Sequence, residues 1–252
     1  MKQAIQEKLT HIAHTEPLHF LLAVESGSRA WGFASPDSDY DVRAIYIRPQ
    51  EYYLQIDEAK DTFEFIENQW FDVGGWDIRK ALRLLRKSNA VLLEWLRSPI
   101  IYTQDDDFTG RLNALAPQYV QAAALLHHYR GIAGNALRNM DLAHPVKLKK
   151  WFYVLRPLLA ARWAVKQGGI PPMTLAELMS EWQTDCVTQI TDLVAIKVEQ
   201  DESYLHTLSP ELQRLTVDLY NEVSELSAPA AQTADSAPLN ELFCETLAAV
   251  YP

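Results

Sequence analysis

The spacing of apolar residues changes near residue 105, and that change limits what the chain can fold into. Before it, short β-rich runs alternate with helical stretches; after it, helical spacing continues with no strand pattern. HFLLAVE (19–25) reads as a short buried strand ending at the turn signal Ser26-Gly27-Ser28, and a short helical stretch from Arg29 to Phe33 follows. Beyond the loop ASPDS, YDVRAIYI (40–47) is β-rich and alternating, with Pro49 as a stop. EYYLQID, DTFEFIE and QWFDVG (69–74) are three more strand candidates, the last closed by Gly74-Gly75. Residues 1–16 read as a helix with Ile5, Leu9 and Ile12 on one face. From Asp77 an amphipathic helix places Ile78, Leu82 and Leu85 on one stripe and Arg79, Lys80, Arg83, Arg86 and Lys87 elsewhere, with Asp77 as its N-cap. Asn89 interrupts it before a second helix that ends near Pro99.

These elements predict an α+β unit over 1–105, a mixed and largely antiparallel sheet with helices, followed by an all-helical domain over 106–252 that closes the cleft. The helices of 110–225 are separated by His144-Pro145, Gly168-Gly169 and Pro171-Pro172. SAPAAQTADSAP (227–238) reads as a flexible segment before a final helix, LNELFCETLAAVY.

Composition excludes several classes. With 48% hydrophobic and 22% charged residues, wholesale disorder is ruled out. Cys186 and Cys244 are too few for a disulfide framework or a cysteine-rich zinc site. The N-terminus has no signal-peptide apolar region, and the longest apolar run, Leu155 to Val165, is broken by Arg156, Pro157 and Arg162. A soluble cytoplasmic protein without membrane contact is expected. A formal charge of −10 argues against non-specific coating of duplex DNA. That charge is segregated: 127–166 holds eight cations against Asp141 alone, whereas 171–252 holds 14 acids against Lys197 and Arg214.

The window Glu25 to Ile47 carries the chemistry. Asp39 and Asp41 are two apart on a predicted strand, so both carboxylates point to one face and Tyr40 and Val42 to the other. Such a pair repels at neutral pH unless one acid is protonated or a cation sits between them, and its hard oxygens suit Mg²⁺ or Mn²⁺. Upstream, Gly27-Ser28 lies between a strand and a short helix; glycine permits close backbone approach and the serine hydroxyl can bond a phosphate oxygen. An anion cradle and an acid pair about ten residues apart would hold the two halves of a metal–nucleoside triphosphate.

G-S-x10-D-x-D before an apolar strand resembles the signature of the DNA polymerase β-type nucleotidyltransferase superfamily. The fuller pattern in GSRAWGFASPDSDYDVRAIY, FDVGGWDIRKALRLLRKSNAVLLEWLRSPIIY and KLKKWFYVLRPLLAARW is similar to its predicted-nucleotidyltransferase branch, which includes the YcgL-type proteins and the RNA-ligase-associated proteins of RNA repair operons. The resemblance covers about residues 20–165. It implies a nucleotidyltransferase-like fold in which Gly27 and Ser28 hold the triphosphate and Asp39 and Asp41 bind two Mg²⁺ ions, Mn²⁺ being the alternative. It also implies a third acid on a later strand. Asp72 is the choice, and Asp77, at a helix start, is the competitor that fits a cap better. Lys80 would reach a phosphate and Asn89 a base or ribose.

Among the cations of 127–166, Lys149 and Arg156 are candidates for phosphate contact. Trp151, Tyr129 and their aromatic neighbours fit a helical core better than a stacking surface. The implied activity is transfer of a nucleoside monophosphate from a triphosphate to an acceptor hydroxyl, on an RNA end, a protein side chain or a small molecule, with release of pyrophosphate. The alternative is a nucleotide-binding regulatory or antitoxin-like module with the same fold.

Overall fold

Ile5, Leu9 and Ile12 fall on one side of α1 (Lys2–Thr15), as their spacing requires, and all three are buried. β1 (His19–Ser26) and β2 (Tyr40–Ile47) follow, separated by the five-residue helix α2 (Gly27–Trp31). A single turn, α3 (Gln50–Tyr53), leads to β3 (Thr62–Asn68) and β4 (Phe71–Asp77). α4 (Ile78–Arg86), α5 (Ala90–Trp95), β5 (Ile101–Gln104) and α6 (Asp106–Leu115) come next. The computed structural model describes every residue except 69–70, 181, 183–184 and 231–233. Gln69 and Trp70 of the expected QWFDVG strand, and part of the segment 227–238, lie outside the described residues.

The sheet has the order β3-β4-β2-β1-β5. β2 and β4 are parallel and the other pairs antiparallel, giving the mixed, largely antiparallel sheet that the sequence predicts. α1 packs on the face carrying Ala23, Val42, Ala44, Tyr46, Val73 and Tyr102. A register irregularity between Phe20 and Leu22 lets Phe20 join that face although its parity differs from that of Ala23. The opposite face carries Asp41, Arg43, Asp72, Gly74 and Trp76, and there Trp76 stacks on Trp95 of α5 at 4.0 Å.

Four local expectations change. EYYLQID is not a strand: Pro49 starts α3, the Tyr53 hydroxyl reaches Asp77 at 2.8 Å, and Leu54 and Ile56 are exposed, so the run has no apolar face to bury. Gly74-Gly75 does not close β4, which continues to Asp77. Instead the pair makes room: a Cβ on Gly75 would lie 2.1 Å from the Phe63 ring, and the Arg43 side chain lies over Gly74. β5 was not expected; only four residues long, with Tyr102 its single buried residue, it has too little pattern to announce itself. The helical half also contains a strand pair, β6 (Val146–Lys147) against β7 (Leu205–His206).

The chain forms two compact units interleaved along the sequence rather than divided at one point. Unit 1 comprises Met1–Ser26, Asp39–Val120 and Thr233–Pro252, so residues 106–120 and the last helix, Ala237–Val250, belong with the sheet. Unit 2 comprises Gly27–Ser38 and Gln121–Gln232. Its helices are α7 (Ala122–Arg138), α8 (Leu148–Lys166), α9 (Leu175–Ser180), α10 (Val187–Glu199) and α11 (Pro210–Glu225); unit 1 ends with α12 (Ala237–Val250). Within unit 2, Trp151, Phe152 and Tyr129 are core residues, and the Trp151 indole donates to Thr216 Oγ at 3.0 Å. Among the described residues no helix is long and apolar enough to cross a membrane.

Candidate active site

Asp41 and Asp72 of unit 1 meet at the starts of β2 and β4. Asp39 lies one residue before β2, and Asp41 is its second residue. Because β2 and β4 run parallel in register, Asp41 is paired directly with Asp72. Arg43, two residues beyond Asp41 and therefore on the same face, ties the pair together. Its Nη2 donates to Asp72 Oδ2 at 2.6 Å and to Asp41 Oδ1 at 3.4 Å. Its Nη1 donates to the carbonyls of Val42 at 2.9 Å and Asp72 at 3.3 Å. A cation between the two carboxylates is what their mutual repulsion demands, and here the protein supplies one of its own.

The donor chemistry of this pair fits a divalent ion. Both side chains offer hard carboxylate oxygens, and among the described residues Asp72 Oδ1 is buried with no hydrogen-bond partner. Among the described residues no group of three His, Cys, Asp or Glu is gathered tightly enough to hold a metal, so Asp39, expected as a ligand with Asp41 and Asp72, does not complete a group of three with them.

Glu25 fixes the position of Asp41 from behind. Its side chain is fully buried, and Oε1 accepts from the Asp41 backbone N–H at 2.8 Å. The Tyr102 hydroxyl donates to Oε2, and Ser98 Oγ donates to the Glu25 carbonyl at 2.7 Å. The sequence held a signal for this residue: a single acid inside the apolar run HFLLAVES, immediately before Gly-Ser. Arg43 had its signal too, as the next same-face position after Asp39 and Asp41.

Asp77 has another task. It is 1% exposed, accepts from Arg79 N at 2.9 Å as the N-cap of α4, and receives the Tyr53 hydroxyl. Burial raises its pKa above the usual aspartate value, against the lowering effect of those hydrogen bonds. Its register partner is Tyr46, five residues along β4 from Asp72, a separation of roughly 17 Å at strand rise. Lys80 pairs with Asp61 at 3.0 Å, and Asn89 caps α5 by accepting from Leu92 N at 3.0 Å. The expected ligand roles of Lys80 and Asn89 thus meet side chains already engaged within the fold.

Unit 2 carries the expected phosphate-binding residues. Gly27 has φ 70, a left-handed conformation that glycine adopts without penalty. Ser28 is buried and donates to Ser38 Oγ at 3.2 Å, which donates in turn to Glu202 Oε1 at 3.2 Å. Glu202 accepts from Lys149 Nζ at 2.5 Å, so Ser28 and Lys149 share one polar network. Lys149 also lines a cavity of about 620 Å³ with Lys147, Lys150, Asn135, Asn139 and Tyr153. Arg156 is not in that lining. It is 2% exposed, donates to the Met173 carbonyl at 3.0 Å, and lies 4.6 Å from the Trp31 ring centroid. Its packing leaves no room for the phosphate contact expected of it.

Comparison with known proteins gives this arrangement a family. The chain is 44% identical over 181 residues to the uncharacterized protein YcgL of Bacillus subtilis (strain 168), an alignment covering 72% of this chain and 70% of that protein. A nucleotidyltransferase-like protein from Exiguobacterium sibiricum 255-15 aligns over 99% of this chain and 90% of its own, at 14% identity and a TM-score of 0.34, a likeness too distant to carry an argument. The family model described as the RNA repair pathway DNA polymerase beta family matches residues 1–245. With the acid pair in register on a mixed sheet and that match running through nearly the whole chain, the protein belongs to the RNA repair pathway DNA polymerase beta family.

Proposed function

We propose that this protein is a Mg²⁺-dependent nucleotidyltransferase that moves a nucleoside monophosphate from a triphosphate to an acceptor hydroxyl, with an RNA end as the preferred acceptor. The observation that carries the reading is the in-register pair Asp41–Asp72, in which Asp72 Oδ1 is buried and, among the described residues, without a hydrogen-bond partner. Asp41 and Asp72 would hold the ion, and Asp39 lies two residues upstream of Asp41. When bound, Mg²⁺ would supply charge neutralisation at the triphosphate and acidify the acceptor hydroxyl.

The rest is positioning by the chain itself. Glu25 holds the Asp41 backbone, and through it the carboxylate. Arg43 holds both carboxylates on one face while no other cation is present. Gly27 and Ser28 are assigned to the triphosphate on their match to the family pattern, and Lys149 remains a phosphate candidate from the basic segment 127–166. In the transfer, the acceptor oxygen forms a bond to the α-phosphorus, the bond from that phosphorus to the bridging oxygen breaks, and pyrophosphate leaves; the hydroxyl proton passes to water.

The experiment is incubation with each α-labelled nucleoside triphosphate, Mg²⁺ and a single-stranded RNA oligonucleotide. Label retained on the RNA together with released pyrophosphate supports the reading. Triphosphate binding with no transfer to RNA, protein or small-molecule acceptor in a cell extract would overturn it in favour of a regulatory module.

A further inference from the structure

A second charged surface of unit 1 is separate from the acid pair. α4 carries Arg79, Arg83 and Arg86, at i, i+4 and i+7, so the three lie along one side of the helix over roughly 10 Å. All three line a groove of about 410 Å³ whose other wall is the start of α12, with Ser236, Leu239, Asn240 and Phe243; Leu82 completes it. Among the described residues no carboxylate lines the groove.

The arginines are poorly neutralised. Among the described residues the Arg83 side chain has no ion-pair or hydrogen-bond partner. Arg86 donates to the Ser236 hydroxyl at 2.6 Å, and Arg79 reaches the capping Asp77 only at 3.9 Å while lying 4.7 Å from the Tyr53 ring centroid. Helix electrostatics account for only part of this pattern. Arg83 and Arg86 sit in the last turn, where the macrodipole favours cations, but Arg79 and Lys80 sit in the first turn, where it opposes them. In a chain of net charge −10, a row of arginines over a groove without acids needs a polyanion to explain it.

We infer that the α4–α12 groove binds the sugar–phosphate backbone of the single-stranded RNA whose end is the acceptor. Arginine forks match phosphate oxygens in paired hydrogen bonds. The lining offers no exposed aromatic platform, with Phe243 half-buried against Tyr53, so the groove positions a strand without reading its bases. α4 starts at the end of β4, roughly 17 Å along the strand from Asp72, and α5 packs Trp95 on Trp76 on the sheet face that carries Asp72. A few nucleotides of single strand would span that separation. The inference deepens the proposed function by naming what holds the acceptor, and it rests on that reading only for the identity of the strand.

The test is binding of fluorescein-labelled single-stranded RNA, twelve nucleotides long and in two unrelated sequences, measured without triphosphate and in EDTA. Wild-type affinity should fall with salt and be alike for the two sequences. Arg83→Gln/Arg86→Gln should weaken binding about tenfold at moderate salt and lower the salt slope by roughly 1.4, two contacts at about 0.7 each for a single strand. Both side chains are exposed, and a melting temperature like that of the wild type will establish that the fold is kept; Arg83→Glu, a single charge reversal, gives a second reading of the same effect. Arg111→Gln, which removes a cation already paired with Glu245, should leave the affinity unchanged. Unchanged affinity and salt slope in both groove variants would overturn the inference, as would binding to an acidic polypeptide in preference to RNA. Because no catalysis enters the readout, failure of label transfer with intact groove binding would count against the proposed reaction and not against the groove.

Discussion

Asp41 stands beside Asp72 in the parallel pairing of β2 with β4, and one nitrogen of Arg43 bonds both carboxylates. Neither position lies next to the other in sequence; 31 residues separate them in the numbering. The strands bring them together, and a charge of the protein's own keeps them there. The arrangement predicts that Asp41→Asn lowers nucleotidyl transfer by at least about 100-fold, roughly 2.7 kcal/mol of transition-state stabilisation, with little change in melting temperature. The fold should survive because the bond from Asp41 to Glu25 is made by the backbone N–H.

Glu25 should behave in the opposite way. Glu25→Ala leaves the Asp41 N–H and the Tyr102 hydroxyl without a buried acceptor, a cost of roughly 2–4 kcal/mol in urea unfolding. Glu25→Gln keeps an acceptor for the Asp41 N–H and should cost less than half as much. Equal destabilisation by the two variants would contradict the role assigned to the carboxylate.

Gly75 is required by its neighbour rather than by its backbone. Phe63, which would meet the new Cβ, is itself held between Phe20 at 5.8 Å and Tyr46 at 5.3 Å, so it cannot swing clear without loss. Gly75→Ala should therefore cost about 1–3 kcal/mol. Adding Phe63→Ala should remove most of that penalty, a non-additivity that a double-mutant cycle reads directly.

The buried cap Asp77 gives stability a pH dependence. Its carboxyl is raised above the ordinary 3.8 in the folded state, chiefly by burial, so the folded protein holds a proton that the unfolded chain releases. The stability from this group is full below pH 3.8 and is lost as pH rises through the raised folded value. Asp77→Asn keeps a capping side chain and removes the titration. The stability margin of the wild type over this variant should accordingly shrink from acidic to neutral pH in denaturant titrations; a margin that grows would contradict the assignment.

Much of the sheet was legible because its strands carry their own patterns. HFLLAVE and YDVRAIYI have sharp stops at Ser26-Gly27 and Pro49, and Asp77 and Asn89 announce two helix starts by their chemistry. What failed had a tertiary cause. EYYLQID has strand-like composition, yet the Tyr53 hydroxyl finds its partner, Asp77, from a helical turn. Gly74-Gly75 looks like a stop until Phe63 is seen lying on it. Within the site, the choice of Asp72 rested on the family resemblance and on its strand-like run, and its pairing with Asp41 follows from a parallel register that no local signal states. Glu25 and Arg43 were visible as charges in apolar strands, without any sign of what they would hold. Arg156 misled for the same reason: an arginine in a basic segment looks like a phosphate ligand, and only packing places its guanidinium in the core by Trp31 and Met173.

The central claim is that Asp72, not Asp77, joins Asp41 in holding the ion. The most direct measurement is Mg²⁺-dependent transfer of label from α-labelled triphosphate to RNA by Asp72→Asn and Asp77→Asn, assayed beside the wild type at equal folded concentration. The account predicts that Asp72→Asn loses transfer by at least about 100-fold while Asp77→Asn keeps it within a few-fold. Full transfer by Asp72→Asn would contradict it.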